Sequence, residues 1–590
     1  NGKRTERIFF APVHKIERIM FRTGAQRTFP TIDTPADWYG ILPNTGDTDT
    51  LAVYRIANFK TQNLADDAGA AVLSSADYKH YVDYFNSMED ENIVQAIPNK
   101  DSWEWMKSNI PLFDCPDKQF EQTYYYRWWT LRKHIEQTPV GYAMTEFLVP
   151  RSYADKYNLI SSALGHHIME SRWIRNPKYL DGIIHTWYYG NDGNPMRKIN
   201  FYSQWTPYSI LQRYAVDGNK ESLIALLPRM KWQYNEWDNH RWKTPNGNGL
   251  YWQYDGRDAM EETISGGRRE KNARPSINSY MFGNAVAISV AAHFANDDAT
   301  ATEFFHKADT LKSLINNNLW DKKAGFFEVH KPVFDANGVT IADSSANVRE
   351  EIGFLPWYFG AADDSKTESE AWLQLTSDKG FRAPYGITTA ERSNPKFRSH
   401  GVGKCEWDGA VWPFATSQTL TAMANWLNDY KVHPLDIANN KSTNATENAD
   451  FIENYWHRVY FENMQKYVES QCHRGRPYIG EYLDETTGAW LMGDRERSRY
   501  YNHSTFNDLI ITGLCGLRPQ LNNELVVNPL LPAGQWDYFC LDNVLYHGHN
   551  ITIVWDKDGS RYHIGKGLSL LVDGTKKAHR NDLGRITCTL

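Results

Sequence analysis

The sequence lacks the features of membrane proteins, of nucleic-acid-binding proteins and of several common enzyme classes. No apolar run in its 590 residues approaches the roughly 18 residues that cross a membrane. There is no basic stripe and the net charge is -7, so we expect no nucleic-acid partner. The motifs H-E-x-x-H and G-x-S-x-G and the P-loop are absent. We therefore expect no cofactor and no catalytic metal, although a loop with a structural calcium ion is compatible with the composition.

Cysteine is also scarce, with six residues in the chain. They are far apart, without a C-x-x-C pair or zinc-ligand spacing, so we expect buried thiols with one bridge at most. The sequence begins Asn1-Gly2-Lys3, and we expect a periplasmic or secreted protein from which a targeting segment has been removed. We expect a monomer or a small homo-oligomer.

Aromatic residues are abundant, with 22 Trp, 34 Tyr and 26 Phe. Many lie among polar residues, as at 124–129 and 249–254. A flat ring beside polar side chains suits the apolar face and polar edge of a sugar, although the same rings also suit a large helical core. The polar clusters favour a groove for an oligosaccharide or polysaccharide.

The order of patterns predicts three regions: a mixed or β region at 1–114, a helical domain at 115–518 and a small antiparallel β-sandwich-like domain at 519–590. Ten to twelve helices of similar length without a sequence repeat favour an (α/α)6 barrel over a solenoid. The predicted helices include Ser75–Met88, Phe120–Ile135, Ile210–Val216, Ile277–Phe294, one capped by Asp298, Phe414–Leu427, Phe451–Val468 and Ser504–Leu514. The predicted strands include Arg7–Phe10, Ile16–Arg22, Glu524–Val527, Tyr538–Leu545, Asn550–Trp555, Arg561–Ile564 and Leu568–Val572.

Carboxylates occur in Gly- and Trp-rich loops between the predicted helices. Cleavage of a glycosidic bond needs an acid that protonates the leaving oxygen and a carboxylate that activates water or attacks directly. The segment 249–263 holds four acidic residues beside aromatic rings, and 405–414 and 479–488 hold more. Taken singly, each also has a structural explanation, such as a solvated loop that caps a helix.

Together these segments resemble the inverting (α/α)6 hydrolases of glycoside hydrolase families 37 and 63 and the mannosylglycerate-hydrolase-like group. Gly256-Arg257-Asp258 is similar to the Gly-Trp-Asp of the family's acid motif, with Arg257 in place of Trp. Trp407–Pro413 is similar to Trp-x-Gly-Pro-x-Trp-Pro, with Ala410 in place of Pro. Glu481–Gly488 has the span and the Thr-Gly ending of the base motif. The resemblance covers roughly residues 115–518.

The resemblance implies an inverting mechanism with Asp258 as general acid and Glu481 as general base. The departures around Asp258 leave Glu261 as an alternative acid. The implied substrate-binding residues are Trp252, Tyr254, Arg257, Glu261, Arg274, Asn278, Glu406, Trp407, Asp408, Trp412 and His503. For His503 a helix-cap role is an alternative, and Glu261 and Glu262 also suit helix-entry charges.

A barrel closed by long loops makes a pocket, so we expect an exo-acting enzyme that removes terminal sugars during polysaccharide degradation. Three alternatives remain: a sugar phosphorylase, a polysaccharide lyase and a non-catalytic carbohydrate-binding protein. A phosphorylase would need no base, and a lyase would need a Tyr/His pair with basic residues. The presence of both carboxylates argues against a binding protein that lost catalysis.

Overall fold

The computed structural model describes residues 71–399, 405–431, 433 and 445–590, together with two short strands before them. The predicted strands Arg7–Phe10 and Ile16–Arg22 lie outside the described residues. The helices are α1 Lys79–Ser87, α2 Ser102–Asn109, α3 Lys118–Lys133, α4 Leu164–Ser171, α5 Lys178–Tyr189, α6 Thr206–Asp217, α7 Lys220–Trp237, α8 Pro275–Phe294, α9 Asp298–Asn318, α10 Leu355–Phe359, α11 Lys366–Ser369, α12 Pro413–Asp429, α13 Ala445–Ser470 and α14 Asn507–Leu509.

The strands are β1 Tyr39–Gly40, β2 Tyr54–Arg55, β3 Leu112–Asp114, β4 Ile135–Thr138, β5 Gly141–Met144, β6 Trp252–Tyr254, β7 Lys271–Ala273, β8 Trp320–Asp321, β9 Phe326–Phe327, β10 His330–Phe334, β11 Thr340–Ser345, β12 Arg382–Ala383, β13 Gly386–Ile387, β14 Cys472–His473, β15 Arg476–Pro477, β16 Leu517–Arg518, β17 Glu524–Val527, β18 Tyr538–Tyr546, β19 His549–Asp556, β20 Gly567–Val572, β21 Thr575–Arg580 and β22 Ile586–Thr589.

The helices form the predicted (α/α)6 barrel. Among the described residues, α4, α6, α8, α10, α12 and α14 form an inner ring in which each helix contacts the next and α14 contacts α4. Each inner helix follows an outer one, respectively α3, α5, α7, α9, α11 and α13. Burial separates the two layers, since α8 buries 18 of its 20 residues, whereas α9 buries six of its 21 along one face.

Helix termini follow ordinary capping chemistry. Pro207 lies in the first turn of α6, and Gly218 ends that helix with a left-handed φ of 65°. The cap of α9 is Asp297 and not the predicted Asp298, because the Asp297 carboxylate accepts a hydrogen bond from the Thr300 N–H at 3.1 Å. The predicted helix Ser504–Leu514 is instead the short α14 followed by a π-helical turn at Ile510–Leu514.

The longest connections, those before α4, α8, α10, α12 and α14, each lead from an outer helix to the start of an inner one. Backbone hydrogen bonds join the loop before α14 to the loop before α12 (Val411 with Leu483) and to the loop before α4 (Asn502 with Glu146). The loop before α8 is bonded to the loop before α10 (Ser265 with Glu350), which is bonded in turn to the loop before α12 (Glu351 with Thr389). These loops therefore lie together at one end of the barrel. The loops that carry the predicted carboxylates precede α8, α12 and α14, so the fold gathers them there.

The C-terminal region is antiparallel β structure, as predicted. Its five-stranded sheet has the order β21-β20-β19-β18-β3, and β3 comes from the chain before the barrel. The predicted strand Arg561–Ile564 is wrong, because the Asp556 carboxylate accepts hydrogen bonds from the N–H groups of Arg561 and Tyr562 at 3.0 and 2.9 Å and so holds a turn. All six cysteines are free thiols.

Within the described ranges, none of the helices combines the length and apolar character that a bilayer-spanning segment requires. Over the same residues, His, Cys, Asp and Glu side chains nowhere form a group of three or more that could hold a metal ion.

Candidate active site

The loop before α8 presents Glu261 from a constrained turn. Strands β6 and β7 pair at its base, and the Asp255 carboxylate accepts hydrogen bonds from the N–H groups of Gly256 at 2.5 Å and Glu262 at 3.2 Å. Ala259 and Glu262 have left-handed φ values of 60° and 69°, which cost about 1–2 kcal/mol each for residues with a side chain. The Asp255 bonds offset this strain and fix Glu261 between the two residues.

Asp258, the predicted acid, lies beneath this turn in a buried ion pair. Its carboxylate receives a hydrogen bond from Arg274 Nε at 2.8 Å and another from the Ser276 hydroxyl, and its side chain has no solvent-exposed surface. Arg274 also interacts with the charges of Glu350 and Asp255. These contacts tie the loop to the start of α8, and they favour a structural role for Asp258 and for Arg274.

Glu261 has the environment of a proton donor. The residue is half-buried, desolvation raises its pKa to about 7, and the negative charges of Asp255 and Glu481 act in the same direction. The Arg268 guanidinium opposes the rise. A carboxyl group with a pKa near neutrality holds a proton that it can donate at physiological pH.

Glu481 lies in the loop before α14 and is almost completely buried. Its Oε1 accepts a hydrogen bond from the Ser498 hydroxyl at 2.9 Å, and Arg497 Nε lies 3.5 Å from the same oxygen. Ser498 and Arg497 thus hold the Glu481 carboxyl group in one position in the loop.

The loop before α12 supports the Glu481 loop. Val411 and Leu483 exchange two backbone hydrogen bonds of 3.0 Å. Arg398 forms an ion pair with Glu406 in the loop before α12, at 2.5 Å. It also pairs with Asp484 and Glu485 in the Glu481 loop, at 3.3 and 3.4 Å. Glu406 is therefore a partner of Arg398, and the pair joins the two loops.

The predicted aromatic subsite is a stack of rings behind Glu481. Trp412 stacks on Trp407 and on Tyr482, with 4.6 Å between ring centroids in both cases. All three rings are buried, and Trp412 is stacked against both of the other two. Asp408 is buried beside them, and its carbonyl accepts a hydrogen bond from the Arg398 N–H at 2.9 Å. These residues support the wall of the site.

Three further predicted residues lie in β6 or directly after it. Trp252 and Tyr254 occupy one face of β6 and are half-buried, with Lys271 Nζ 5.1 and 5.5 Å from their ring centroids. Arg257 lies 3.5 Å from the centroid of the Phe201 ring and donates a hydrogen bond to the Phe201 carbonyl at 3.0 Å.

Asn278 and His503 occupy the interior. The Asn278 side chain bonds to both backbone groups of Tyr251, at 2.8 and 2.9 Å, and so positions the strand that leads into the Glu261 loop. His503 is buried against Tyr501 and Trp412, and burial lowers the pKa of its imidazole well below the usual range. Burial therefore favours the uncharged form of His503.

One further carboxyl group near these residues, Glu146 in the loop before α4, was not predicted from the sequence. It receives hydrogen bonds from the Ser162 hydroxyl at 2.6 Å and from the Tyr501 hydroxyl. Burial raises its pKa to about 7, with contributions from the charges of Glu481 and Glu261. Glu146 stands alone in an apolar segment without a motif, so only the fold reveals it.

The loops thus bring Glu261, Glu481 and Glu146 within electrostatic reach of one another. Two of the three carboxyl groups have a pKa of about 7, and the third is hydrogen-bonded and ion-paired. Such an arrangement can supply an acid and a base to one bound sugar.

Comparison with known proteins places the chain in a family of glycoside hydrolase domains. Residues 156–504 match the family model of the mannosylglycerate hydrolase MGH1-like glycoside hydrolase domain, which is more than half of the chain. Residues 517–578 match the C-terminal domain of glycosyl hydrolase family 65, and residues 1–38 match a sialidase-like CBM domain. The chain belongs to the MGH1-like glycoside hydrolase family.

Individual relatives extend this comparison. A solved structure described as a sialidase is 56% identical, with a TM-score of 0.82 over 97% of this chain and 50% of its own. An uncharacterized protein of Borreliella burgdorferi is 25% identical over 36% of this chain and 40% of its own. A GH63 mannosylglycerate hydrolase from Thermus thermophilus is 13% identical, with a TM-score of 0.45 over 66% of this chain and 99% of its own. The chain thus spans half the length of the sialidase chain that it matches.

Proposed function

We propose that the chain is an exo-acting glycoside hydrolase that removes a terminal sugar from an oligosaccharide or polysaccharide with inversion of the anomeric configuration. Glu261 is the general acid and Glu481 the general base in this proposal. The observation that carries it is the contrast between the two glutamates: desolvation raises the pKa of Glu261 to about 7, while Glu481 is hydrogen-bonded to Ser498 and paired with Arg497.

In the proposed reaction, protonated Glu261 donates its proton to the glycosidic oxygen as the bond to the leaving group breaks. Glu481 removes a proton from a water molecule that attacks the anomeric carbon from the opposite face. A spacing of about 6.5–9.5 Å between the two carboxyl groups suits this single displacement, because the water lies between the base and the sugar.

The contacts of the loop favour Glu261 over Asp258 as the acid. A donor must hold a proton and reach the ligand. The Asp258 carboxylate is bonded to Arg274 and fully buried, whereas Glu261 is a half-buried residue. We assign Asp258 the role of fixing the Glu261 loop on α8. That Asp258 is the acid stays a prediction, and mutation of Asp258 and Glu261 distinguishes the two assignments.

The proposed enzyme also has an expected cofactor requirement, partner, location and assembly state. Its catalytic groups are side chains, so it needs no cofactor, and its partner is a glycan chain end. We also propose a periplasmic or secreted location and a monomer or small homo-oligomer that acts in polysaccharide degradation.

Proton NMR of the reaction on a panel of defined glycans tests the function. We expect one terminal sugar to be released, with the first-formed anomer opposite to that in the substrate. Release of internal fragments would contradict exo action, and retention of the anomer would contradict the single displacement. Turnover that requires phosphate would indicate a phosphorylase instead.

A further inference from the structure

The inner helices enclose a cavity at the end of the barrel opposite to the active-site loops. Its wall includes Met169 and Arg172 at the end of α4, and Asn425 and Asp429 in the last turns of α12. At a rise of about 1.5 Å per residue, Asn425 and Asp429 lie roughly 18 and 24 Å along α12 from Pro413, where the helix leaves the active-site loops. We call this space the distal cavity, and its residues have no part in the proposed reaction.

Two buried polar atoms of the distal cavity have no hydrogen-bond partner among the described residues, namely Oδ2 of Asp508 and Nε2 of Gln212. The two residues are only 1% and 7% exposed, so bulk water does not compensate for the missing bonds. Both side chains are bonded to one guanidinium group, because Arg172 donates to Asp508 Oδ1 at 2.7 and 3.0 Å and to Gln212 Oε1 at 3.3 Å. The fold thus fixes an unused acceptor and an unused donor on neighbouring side chains.

A comparison with another cavity shows that such unused atoms are not a general feature of the protein's cavities. That cavity lies beside the Glu481 loop, and its wall includes Glu89, Lys133 and Tyr500. There the Glu89 carboxylate accepts hydrogen bonds from the Lys133 ammonium group and from the Tyr500 hydroxyl, the latter at 2.8 Å. Within its described wall, no buried side-chain nitrogen or oxygen lacks a partner. The distal cavity differs because Asp508 and Gln212 retain capacity for a ligand.

The backbone beside the distal cavity is also unusual. The π-helical turn Ile510–Leu514 contributes Thr512 to the wall, and such turns are rare and occur frequently at functional sites. The space is about 460 Å³ including its opening, many times the roughly 30 Å³ that one water molecule occupies in the liquid. Pro519 and Gln520 in the wall are half-buried, so the cavity reaches the surface there. A small molecule can therefore enter and reach the buried polar atoms.

The charges of the wall favour a neutral ligand. The charged residues of the described wall are two arginines and two aspartates, paired as Arg172 with Asp508 at 2.7 Å and Arg518 with Asp429 at 3.2 Å. An anion would meet the open oxygen of Asp508, and the described part of the chain has no group of three His, Cys, Asp or Glu side chains for a metal ion. A hydroxyl both donates and accepts, so two adjacent hydroxyls satisfy Asp508 Oδ2 and Gln212 Nε2 together.

We infer that the distal cavity binds a small neutral polyhydroxyl compound, of the size of glycerol or a monosaccharide, through Asp508 and Gln212. One hydroxyl donates to Asp508 Oδ2 and a neighbouring hydroxyl accepts from Gln212 Nε2. Met169 and Pro519 in the wall offer apolar surface to the carbon-bound hydrogens, as in most small-molecule sites. This binding site goes beyond the proposed function, because it lies away from the catalytic glutamates and involves no cleavage.

Isothermal titration calorimetry of the full chain with glycerol, D-glucose and D-xylose at millimolar concentrations tests the inference. Gln212→Met keeps the length of the side chain but removes its amide, and we expect it to weaken binding about tenfold. Gln212→Glu keeps an acceptor for Arg172 while it removes the donor, so it should weaken binding similarly and guards against loss of the fold. Gln465→Met, at an exposed glutamine of α13, is the matched control. That control and Glu481→Gln, which alters the active site, should bind as the unsubstituted chain does.

The outcomes decide both the place and the chemistry of the site. Weaker binding in the two Gln212 variants, with unchanged thermal unfolding and with both other variants unaffected, would support the inference. Binding of none of the three compounds would overturn it and leave the cavity to water. Binding that Glu481→Gln abolishes and the Gln212 variants retain would place the sugar at the active site and also overturn it. Heat from sodium acetate or magnesium chloride that depends on Gln212, without heat from the polyols, would contradict a neutral ligand.

Discussion

At the scale of single residues, the neighbours of each carboxyl group decide its role. Asp258 and Glu261 are three positions apart, and the family resemblance pointed to the first. The guanidinium of Arg274 bonds to Asp258, whereas Glu261 is half-buried without such a bond and has a raised pKa. Spacing singled out this segment but could not distinguish these two environments, because Arg274 reaches Asp258 only after the loop folds onto α8.

One residue-scale prediction concerns Arg268, whose charge lowers the pKa of Glu261. In Arg268→Gln the pKa of Glu261 should rise, so the acid stays protonated to higher pH. The descending alkaline limb of kcat/KM against pH should therefore move upward by a fraction of a pH unit. The shift is small because the Arg268 side chain is 56% exposed and solvent screens its charge. Arg580→Gln, which removes an arginine paired with Asp582 in the C-terminal sheet, should leave the limb in place, and a downward shift in Arg268→Gln would contradict Glu261 as the acid.

At the scale of elements, apolar periodicity predicted the helices well. The predictions Phe120–Ile135, Ile277–Phe294 and Phe414–Leu427 each fall on a helix of nearly the same bounds, α3, α8 and α12. The errors occur at a turn that a side chain holds and at a change of helix type. The Asp556 carboxylate turns the chain at the predicted strand Arg561–Ile564, and α14 passes into a π-helical turn.

Two of the site loops depend on Arg398, which pairs with Glu406, Asp484 and Glu485. In Arg398→Met these carboxylates lose their cation and repel one another, so the Glu481 loop should shift. A displacement of about 1 Å can reduce turnover about 100-fold, and we expect a loss of kcat of that order in steady-state kinetics. Arg382→Met removes an exposed pairing with Asp378 and is the control. Near-normal kcat in Arg398→Met would show that the loop does not need this bridge.

At the scale of the whole molecule, the barrel and the C-terminal sheet are joined by a strand that was not predicted from the sequence. Strand β3 precedes the barrel and pairs with β18, as in Cys540 opposite Asp114. The Asp542 carboxylate also accepts hydrogen bonds from the N–H groups of Val72 and Leu73 at 2.7 and 2.8 Å. The order of the predicted regions indicated the barrel. It did not predict these contacts between residues more than 400 positions apart, which arise only in the folded chain.

The buried carboxyl groups make the stability of the molecule depend on pH. Glu351 is buried in the barrel with a single hydrogen bond, from the Thr419 hydroxyl at 2.8 Å, and burial raises its pKa well above the usual range. The folded state keeps Glu351 protonated, so its contribution to stability is lost as pH rises above the unfolded pKa. We expect Glu351→Gln to raise Tm by about 1–3 °C at pH 8 and by less at pH 5. Glu524→Gln, at an exposed strand position, should change neither value, and a larger gain at pH 5 would contradict the sign.

The most direct test of the central claim, that Glu261 is the acid and Glu481 the base, is the dependence of kcat/KM on the leaving group. The substrates are aryl glycosides of the sugar that the panel identifies. An acidic leaving group departs without protonation, so Glu261→Gln should lose little activity on dinitrophenyl glycosides and about 100- to 10,000-fold on unactivated ones. Glu481→Gln should lose activity on both. If Asp258→Asn shows the leaving-group dependence and Glu261→Gln does not, the acid is Asp258 and the account of the site is wrong.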